Sequence, residues 1–469
     1  MNNKNMLHKP VLVLGLGRSG FFAAKLAVSK GYPSVSVYDD KDPSLLEQER
    51  VLACDQLGIQ LIHSLPIMKE HTLVVASPGV NLHEERFKKL MGECQVISEI
   101  EFAWKWMKGH SIAVTGTNGK STVTALLAHL FNHDHVSAVA CGNFGTPLSE
   151  VVLDQQHEQA VKVVELSSFQ LQYTDGIHPL ISLCLEITQD HLDRHPSYLD
   201  YQDAKLRLFR MNSHQSHWIL HDSIPRLHPD LSFHSHLTRV SKDECVGEVH
   251  LRIQEDGVRG DFNIDLNWNR TALSQPHNRH NCLFALSAIL LSKKKFPSIE
   301  EAMYSFRGLP YRQEKVEVNL PFKVINDSKS TTPDSTVKAL EAFQEKLVLI
   351  MGGKDKGTSF DEVKRILAKR KIKTVLFGES AEKLERLLTG SVPCKKSLFL
   401  KEAVQLALEW LQDEKLILFS PGCVSFDHFK SYADRGENFN RMILELSNKG
   451  GRVCKSRLKG DLNSGVRIQ

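Results

Sequence analysis

The segment from Thr115 to Thr122, with the sequence TGTNGKST, constrains the fold more strongly than any other part of this chain. A short apolar run, residues 112–114, precedes it, and an apolar stretch typical of a helix, residues 121–131, follows it. A glycine-containing turn between a strand and a helix presents backbone N–H groups and the positive helix end to an anion. The lysine and hydroxyl residues at its end suit the outer phosphates of ATP and a magnesium ion. The segment therefore predicts a P-loop in a parallel α/β sheet.

This loop differs from the general P-loop pattern at one position. The general pattern has a glycine five residues before Gly119, where this chain has Val114. A glycine turn that only caps a helix would leave the placement of Lys120 at the positive helix end unexplained. We therefore expect ATP to be bound by the consecutive residues Gly116, Thr117, Asn118, Gly119, Lys120, Ser121 and Thr122.

The N-terminal hundred residues contain a second glycine-rich turn. The apolar run 11–14 leads into GLGRSG, residues 15–20, and a second apolar run, residues 35–38, ends at Asp39. This arrangement satisfies the dinucleotide-binding pattern, in which the acidic residue contacts a ribose. The pattern alone is weakly specific, so the turn is compatible both with an NAD-dependent oxidoreductase and with a domain that binds the diphosphate of a UDP-sugar.

The length of the chain, 469 residues, suggests about three domains. Strand candidates alternate with helical stretches, and after residue 310 they recur at 323–326, 347–351, 374–377 and 416–420. Such alternation predicts parallel sheets flanked by helices. We expect an α/β protein with an N-terminal Rossmann-like domain (1–105), a central P-loop domain (106–310), a C-terminal Rossmann-like domain (311–447) and a basic, disordered tail (448–469).

Composition and charge exclude several classes of protein. The net charge of +4 is concentrated in the last 21 residues, so the rest is near neutral and we expect no nucleic-acid partner. No run approaches the roughly 18 apolar residues of a membrane helix, and we expect a cytoplasmic monomer without membrane insertion.

The nine cysteines form no C-x-x-C pair. Histidines are frequent between residues 214 and 236 without regular ligand spacing, and we assign them to solvated surface with no function.

Several motifs together resemble the Mur ligases, the ATP-dependent amide-forming enzymes of peptidoglycan precursor synthesis. Besides the P-loop, they are GNFG (142–145), ELSSFQL (165–171), DHLDR (190–194), AKLR (204–207), HN (277–278) with Asn281, and NDSK (326–329). ELSSFQL and SPGCVSFD (420–427) resemble the members that add D-glutamate. The resemblance extends to about Glu445. It implies UDP-N-acetylmuramoyl-L-alanine, D-glutamate and ATP as substrates and an acyl phosphate as intermediate.

The resemblance also implies catalytic residues and metal ligands. The matching catalytic positions are Lys120, Asn143, His191 and Lys205, and the positions that match ligands of two Mg²⁺ ions are Ser121, Glu165, His191 and Lys205. Lys205 matches a lysine that CO₂ carbamylates, which turns an ammonium into an anion. Considered without the family, Lys205 would be a surface lysine and His191 a hydrogen-bonded loop histidine.

Substrate-contacting positions follow from the same resemblance. Contacts to the adenine, phosphate and ribose of ATP are implied for Asn278, Arg312 and Asp327. Contacts to the UDP-substrate are implied for Gly15, Gly17, Arg18, Ser19, Asp39, Asp40, Lys41, Ser77, Pro78 and Gly79. The two carboxylates of D-glutamate suit cations and hydroxyls, and the matching positions are Lys329, Thr331, Lys356, Ser425, Phe426 and Tyr432.

The chain departs from the family pattern at three places without losing a charged catalytic group. It has Glu186 where Asn is more frequent, Tyr311 where His often precedes the arginine, and Gln275-Pro276 where Gly-Gln usually precedes His-Asn. A folylpolyglutamate synthase-like ligase shares the P-loop form and the glutamate chemistry, but such enzymes lack the N-terminal unit. Outside the ligases, an NAD-dependent oxidoreductase and a non-catalytic, ATP-switched binding protein are the alternatives.

Overall fold

The computed structural model describes residues 7–65, 72–191, 194–211, 216–293, 295–318, 320–355 and 357–450. The chain divides into two compact units, residues 1–307 and 308–469. The first unit contains two sheets and the second contains one. The α/β class with largely parallel sheets is therefore confirmed.

The N-terminal sheet has five parallel strands in the order β3-β2-β1-β4-β5. Every residue of β1 and β4 is buried, because apolar side chains pack on both faces of the sheet. Leu14 pairs with Tyr38 and Ala76, so the segments that follow these three strands leave the sheet at one edge. The strands are β1 (Val11–Leu14), β2 (Val35–Tyr38), β3 (Gln60–Ile62), β4 (Leu73–Ala76) and β5 (Gln95–Ser98), and the helices are α1 (Arg18–Ser29), α2 (Gln48–Gln56), α3 (Lys88–Glu93) and α4 (Glu99–Trp104).

The central sheet has ten strands in the order β15-β14-β13-β12-β11-β10-β9-β6-β8-β7. Strands β6 to β11 are parallel, whereas β12 to β15 continue the sheet as an antiparallel meander that the sequence did not predict. The strands are β6 (Ser111–Thr115), β7 (Ala138–Gly142), β8 (Val161–Glu165), β9 (Ile181–Cys184), β10 (His217–His221), β11 (Leu237–Val240), β12 (Glu244–Gly247), β13 (Leu251–Gln254), β14 (Gly257–Gly260) and β15 (Ile264–Asp265). The helices are α5 (Lys120–His133), α6 (Leu148–Leu153), α7 (Ser168–Gln172), α8 (Tyr198–Arg210), α9 (Ser223–Leu227), α10 (Pro276–Leu291) and α11 (Ile299–Ser305).

The sheet of the second unit has six strands in the order β16-β17-β21-β18-β19-β20. Five are parallel, which confirms the expectation for the four predicted strands, and the sheet has in addition β16, an edge strand of two residues that pairs antiparallel with β17. The strands are β16 (Glu314–Lys315), β17 (Lys323–Asn326), β18 (Leu347–Gly352), β19 (Lys373–Phe377), β20 (Cys394–Lys396) and β21 (Leu416–Gly422). The helices are α12 (Pro333–Ala342), α13 (Asp361–Arg370), α14 (Ala381–Leu388), α15 (Leu400–Trp410) and α16 (Tyr432–Gly450).

The predicted domain boundaries stay predictions. Helix α16 extends to Gly450, past the predicted start of the tail at residue 448, and residues 451–469 lie outside the described part of the chain. No helix formed by the described residues is long and apolar enough to cross a bilayer.

Candidate functional site

The P-loop follows β6 at the edge of the central sheet where parallel strands present their ligand-binding loops. Gly116 and Gly119 have φ angles of 132° and 84°, which residues with a Cβ rarely adopt. A Cβ on Gly116 would lie 2.7 Å from Leu185 Cβ, and one on Gly119 would lie 2.4 Å from Asn281 Oδ1. Both glycines are therefore needed for the loop to pack against the segment after β9 and against α10.

Helix α5 begins at Lys120, directly after the loop, so its first-turn N–H groups lie beside the loop. Lys120 Nζ donates a hydrogen bond of 2.9 Å to Thr117 O, which keeps the ammonium at the loop. Ser121 and Thr122 lie in the same first turn and are buried. The loop thus combines a helix N-terminus, an ammonium and two hydroxyls, the groups expected around a triphosphate and its metal.

Glu165 ends β8, and it pairs with Val114 of β6, so its carboxylate lies at the same sheet edge as the P-loop. The side chain is buried, and Oε1 accepts a hydrogen bond of 2.8 Å from Asn143 Nδ2. Within the described part of the chain, Oε2 is buried without a hydrogen-bond partner. Because an unpartnered buried carboxylate oxygen is unfavourable, and because Mg²⁺ prefers oxygen ligands, these residues fit a magnesium ion.

Lys205 projects from α8 onto the P-loop. Its side chain is 2% exposed, and Nζ donates a hydrogen bond of 2.7 Å to Gly116 O. Burial, and then the positive charge of Lys120, lower the pKa of Lys205 to about 7. The family-independent interpretation as a surface lysine is therefore wrong, because α8 presents this residue to the loop and not to solvent.

Tyr201 is a site residue that the sequence analysis missed. Its buried hydroxyl is 3.0 Å from Thr117 Oγ1, and Lys205 Nζ lies 4.6 Å from the centroid of its ring. Thr117 Oγ1 also donates to Thr188 O, which connects the loop to the segment after β9. The sequence spacing could have indicated Tyr201, because it precedes Lys205 by four residues and therefore lies on the same face of α8.

His191 lies at the solvent-exposed side of this group, with 47% of its side chain exposed. Its φ angle is 54°, and its backbone N–H donates to Asp190 Oδ1, so it is a loop histidine as expected without the family. The His191 ring is 5.1 Å from the ring of Phe169. His195 stacks on the same Phe169 ring, and burial lowers its pKa, so this second histidine is neutral.

The glycine-rich turn after β1 is held by Asp39. One carboxylate oxygen of Asp39 accepts from Leu16 N at 2.7 Å, and the other accepts from Lys41 N at 3.1 Å. A Cβ on Gly20 would lie 1.8 Å from Gly15 O, so α1 can approach the turn only with glycine there. Asp39 therefore orders the turn through both of its carboxylate oxygens.

The charged residues around this turn are engaged with other parts of the first unit. Arg18 forms a two-pronged ion pair with Glu150 of α6, with Nε 2.8 Å from Oε2. Asp40 pairs with Arg86, whose hydrogen bond lowers the pKa of Asp40. The remaining predicted residues of the turn, Gly17 and Ser19, start α1: Gly17 is its N-cap and Ser19 is half-buried.

A cavity lies in the first unit between the N-terminal sheet and the central domain, beside the turn from Ser77 to Gly79. Ser77 and Pro78 line it from one side, and Phe169 and Arg194 line it from the other. The Arg194 guanidinium lies 4.1 Å from the centroid of the Phe169 ring and donates to Val80 O. The cavity thus joins the predicted UDP-substrate residues to the ELSSFQL and DHLDR motifs.

The three predicted contacts to adenine, phosphate and ribose are on loops and helix ends. Asn278 is in the first turn of α10, where its Oδ1 accepts from Asn281 Nδ2 at 3.4 Å. Arg312 and Asp327 are in the second unit. Asp327 is buried and accepts from Ser330 Oγ, Ser420 Oγ and Gln313 N. Burial raises the pKa of Asp327 to about 6, although these hydrogen bonds oppose the rise.

Among the predicted D-glutamate residues that the structure describes, four lie in two loops of the second unit, and Tyr432 begins α16. Lys329 and Thr331 follow β17, and Lys329 Nζ lies 4.0 Å from the centroid of the Tyr432 ring. Ser425 is buried after β21, whereas Phe426 is 68% exposed. Lys356 lies outside the described residues.

Arg435 is a second residue that the sequence analysis missed, and it connects these two loops. The guanidinium is 0% exposed and donates to Ser328 Oγ at 3.0 Å, to Ser328 O at 2.8 Å and to Cys423 O at 3.0 Å. Ser328 Oγ in turn donates to Tyr432 O. Burial lowers the pKa of Arg435 to about 10, so it remains charged at neutral pH.

Two family models match this chain. Residues 114–288 match the Mur ligase middle domain, and residues 311–423 match the Mur ligase glutamate ligase domain. A UDP-N-acetylmuramoylalanine--D-glutamate ligase of Geotalea daltonii is 35% identical over 465 residues, which cover 94% of this chain and 98% of the relative. The chain belongs to the Mur ligase family.

Other relatives of this Mur ligase support the same family and fold. An Aquifex aeolicus protein with the same name is 34% identical over 437 residues, covering 92% of this chain and 98% of the relative. Among solved structures, a Thermotoga maritima MurF ligase in complex with ADP has a TM-score of 0.58 at 14% identity and covers 95% of this chain and 99% of that chain. A Thermotoga maritima UDP-N-acetylmuramate-alanine ligase has a TM-score of 0.54 at 17% identity, with 92% and 98% coverage. The two structures support the shared fold of this Mur ligase.

Proposed function

We propose that this Mur ligase adds D-glutamate to UDP-N-acetylmuramoyl-L-alanine at the expense of ATP, in cytoplasmic peptidoglycan precursor synthesis and as a monomer. The observation that carries the proposal is the combination of a P-loop with the buried Glu165, whose Oε2 has no hydrogen-bond partner among the described residues. This combination is suited to a nucleotide triphosphate with its metal. The names of the relatives supply the acceptor and the amino acid.

The reaction requires activation of a carboxylate. A carboxylate oxygen of the alanine attacks the γ-phosphorus of ATP, the bond to the bridging oxygen breaks, and ADP leaves with the electron pair. The D-glutamate nitrogen then attacks the acyl carbon, phosphate leaves, and the nitrogen loses a proton to form the amide. Lys120 and the N-terminus of α5 stabilise the negative charge of the transferring group, because they are already oriented toward the loop.

Mg²⁺ would neutralise phosphate charge in this reaction. We assign Ser121 and Glu165 to one ion, and His191 with a carbamylated Lys205 to a second. Lys205 supports this assignment in two ways: its amine is buried against the P-loop, and its pKa of about 7 leaves much of it neutral and able to react with CO₂. Asn143 orients Glu165 through its amide N–H.

The substrates are assigned to the loops described above. We assign the UDP part to the turns at residues 15–19, 39–41 and 77–79, and the muramoyl-alanine part to the neighbouring surface around Phe169 and Arg194. Asn278, Arg312 and Asp327 are assigned to ATP. The residues assigned to D-glutamate are Lys329, Thr331, Lys356, Ser425, Phe426 and Tyr432.

The test is phosphate release from ATP by the purified protein with each substrate omitted in turn. We expect release only when Mg²⁺, UDP-N-acetylmuramoyl-L-alanine and D-glutamate are all present, and we expect the amide product by mass spectrometry. Equal turnover with L-glutamate would contradict the assigned amino acid. Product formation with a folate and glutamate would favour the folylpolyglutamate synthase alternative.

A further inference from the structure

Two histidines and a glutamate meet on the surface of the central domain, in the histidine-rich region to which the sequence analysis assigned no function. Glu248 Oε2 is 2.6 Å from His217 Nδ1, and Glu248 Oε1 is 2.9 Å from His236 Nδ1. One ligand atom from each of the three residues lies within 4.8 Å of the other two. Within the described part of the chain, this is the only group of three such residues with that geometry.

The sheet backbone places these three side chains together. His217 begins β10, and His236 directly precedes β11. Because Trp218 N donates to His236 O at 2.8 Å, the two histidines lie side by side at the start of these neighbouring parallel strands. Glu248 follows β12, and its backbone N donates to Leu237 O, which fixes it beside the start of β11. The three ligands therefore come from three adjacent segments of one sheet. One ligand begins a strand and the other two directly precede or follow one, so the sheet anchors all three more firmly than a free loop would.

The side chains of the two histidines and the glutamate are partly exposed to solvent. The exposed fractions of the side chains are 12% for His217, 41% for His236 and 25% for Glu248. The two imidazole rings are 5.2 Å apart and tilted at 66° to each other. Burial raises the pKa of Glu248, but the hydrogen bonds from the two histidines outweigh it and lower the pKa overall, so the carboxylate is ionised.

We propose that His217, His236 and Glu248 form a binding site for a divalent transition metal of the Zn²⁺ class, with water completing the coordination. Two imidazole nitrogens and one carboxylate oxygen suit Zn²⁺, Cu²⁺ and Ni²⁺ better than Mg²⁺, which prefers oxygen ligands. Metal–ligand bonds of about 2.0–2.2 Å place neighbouring ligand atoms roughly 3.3 Å apart. The Nδ1 atoms lie 2.6 and 2.9 Å from the carboxylate oxygens, so each pair would move apart as a metal replaced the proton that it shares.

This site is separate from the P-loop site in both residues and metal preference. Coordination would tie β10, β11 and the segment after β12 to one another, at the start of the antiparallel extension of the sheet. We therefore expect Zn²⁺ to stabilise the protein against unfolding. Ligase turnover with Mg²⁺ should not require the site.

The experiment is a zinc titration of the full-length, metal-stripped protein without an affinity tag, in competition with a chromophoric chelator. The variants are His236→Ala and Glu248→Gln, and His250→Ala is the matched control, because His250 is an exposed histidine that directly precedes β13 and lies outside the group. We expect one zinc ion per chain in the wild type. Its affinity should fall at least tenfold in Glu248→Gln and further in His236→Ala, and it should be unchanged in His250→Ala.

Thermal unfolding with and without zinc provides a second measurement. We expect Zn²⁺, but not the same concentration of Mg²⁺, to raise the unfolding midpoint of the wild type and the control, and to leave that of Glu248→Gln unchanged. X-ray absorption of the one-zinc protein should show nitrogen and oxygen ligands. Zinc affinity that is equal in wild type and variants, or a sulfur ligand from one of the free cysteines, would overturn the assignment.

Discussion

Replacement of Arg435 by alanine should destabilise the second unit and weaken D-glutamate binding. The guanidinium makes three hydrogen bonds, two to Ser328 and one to Cys423 O. Its removal would leave two buried carbonyl oxygens without this donor, at about 1–2 kcal/mol each, and would remove the packing of the arginine stem. We therefore expect a loss of about 3 kcal/mol in the free energy of unfolding, which corresponds to a midpoint lower by roughly 10 °C for a unit of this size.

A second substitution separates folding from function at this position. Arg435→Lys keeps the positive charge, but one ammonium cannot reach acceptors on both loops in the way a planar guanidinium does. We expect it to recover about half of the lost stability. The two loops carry Lys329 and Ser425, so KM for D-glutamate should rise several-fold while KM for the UDP-substrate changes little.

The assays are calorimetric unfolding and steady-state phosphate release with D-glutamate varied. Arg441→Ala is the matched control, because Arg441 lies on the same helix but is exposed, and its stability should remain within about 0.5 kcal/mol of wild type. If Arg435→Ala unfolds within about 1 kcal/mol of wild type, the hydrogen bonds of Arg435 do not hold these loops. An unchanged KM for D-glutamate in Arg435→Lys would show that the loops do not depend on Arg435 to bind the amino acid.

Substitutions at three positions test the P-loop site, each by phosphate release. Lys120→Ala should lower turnover by about a hundredfold or more through loss of oriented charge at the transferring phosphate, and near-normal turnover would remove the P-loop assignment. Glu165→Gln preserves the shape of the side chain but not its charge, so it should raise the Mg²⁺ concentration needed for half-maximal rate by tenfold or more; an unchanged requirement would contradict its role as a ligand. Lys205→Ala should lose most activity and recover part of it in high acetate, whereas Lys205→Arg should stay inactive with or without acetate; normal turnover of Lys205→Arg would contradict the carbamate.

The core strands were predictable because each is an apolar run that ends at a turn. Residues 11–14, 73–76 and 112–114 are buried strand segments as expected, and the turns that follow them lie at sheet edges. The extension from β12 to β15 was not predictable in this way. Its strands are two to four residues long and mix polar with apolar side chains, so they are strands only because each pairs with the next.

The candidate site was predictable where residues are consecutive and not where distant segments meet. The P-loop is one local motif, and Tyr201 could have been found from its spacing to Lys205. Arg435 gave no such signal, because one arginine in an amphipathic helix is ordinarily exposed, and its burial depends on the loop at Ser328 folding against it. His217 and His236 likewise have no ligand spacing in the sequence, because the pairing of β10 with β11 and the residue before it brings them together.

Two of the three departures from the family pattern lie where a backbone carbonyl accepts a hydrogen bond, and the third lies at the start of a helix. Glu186 is exposed, and it contributes its carbonyl oxygen, which accepts from Thr117 N at 2.9 Å. Pro276 is at the first turn of α10, where a helix does not need the missing N–H. Tyr311 has a φ of 59°, and its carbonyl oxygen accepts from Lys329 N at 2.9 Å. A changed side chain leaves the carbonyl contacts of Glu186 and Tyr311 intact, and so the P-loop and the Lys329 loop keep these two hydrogen bonds.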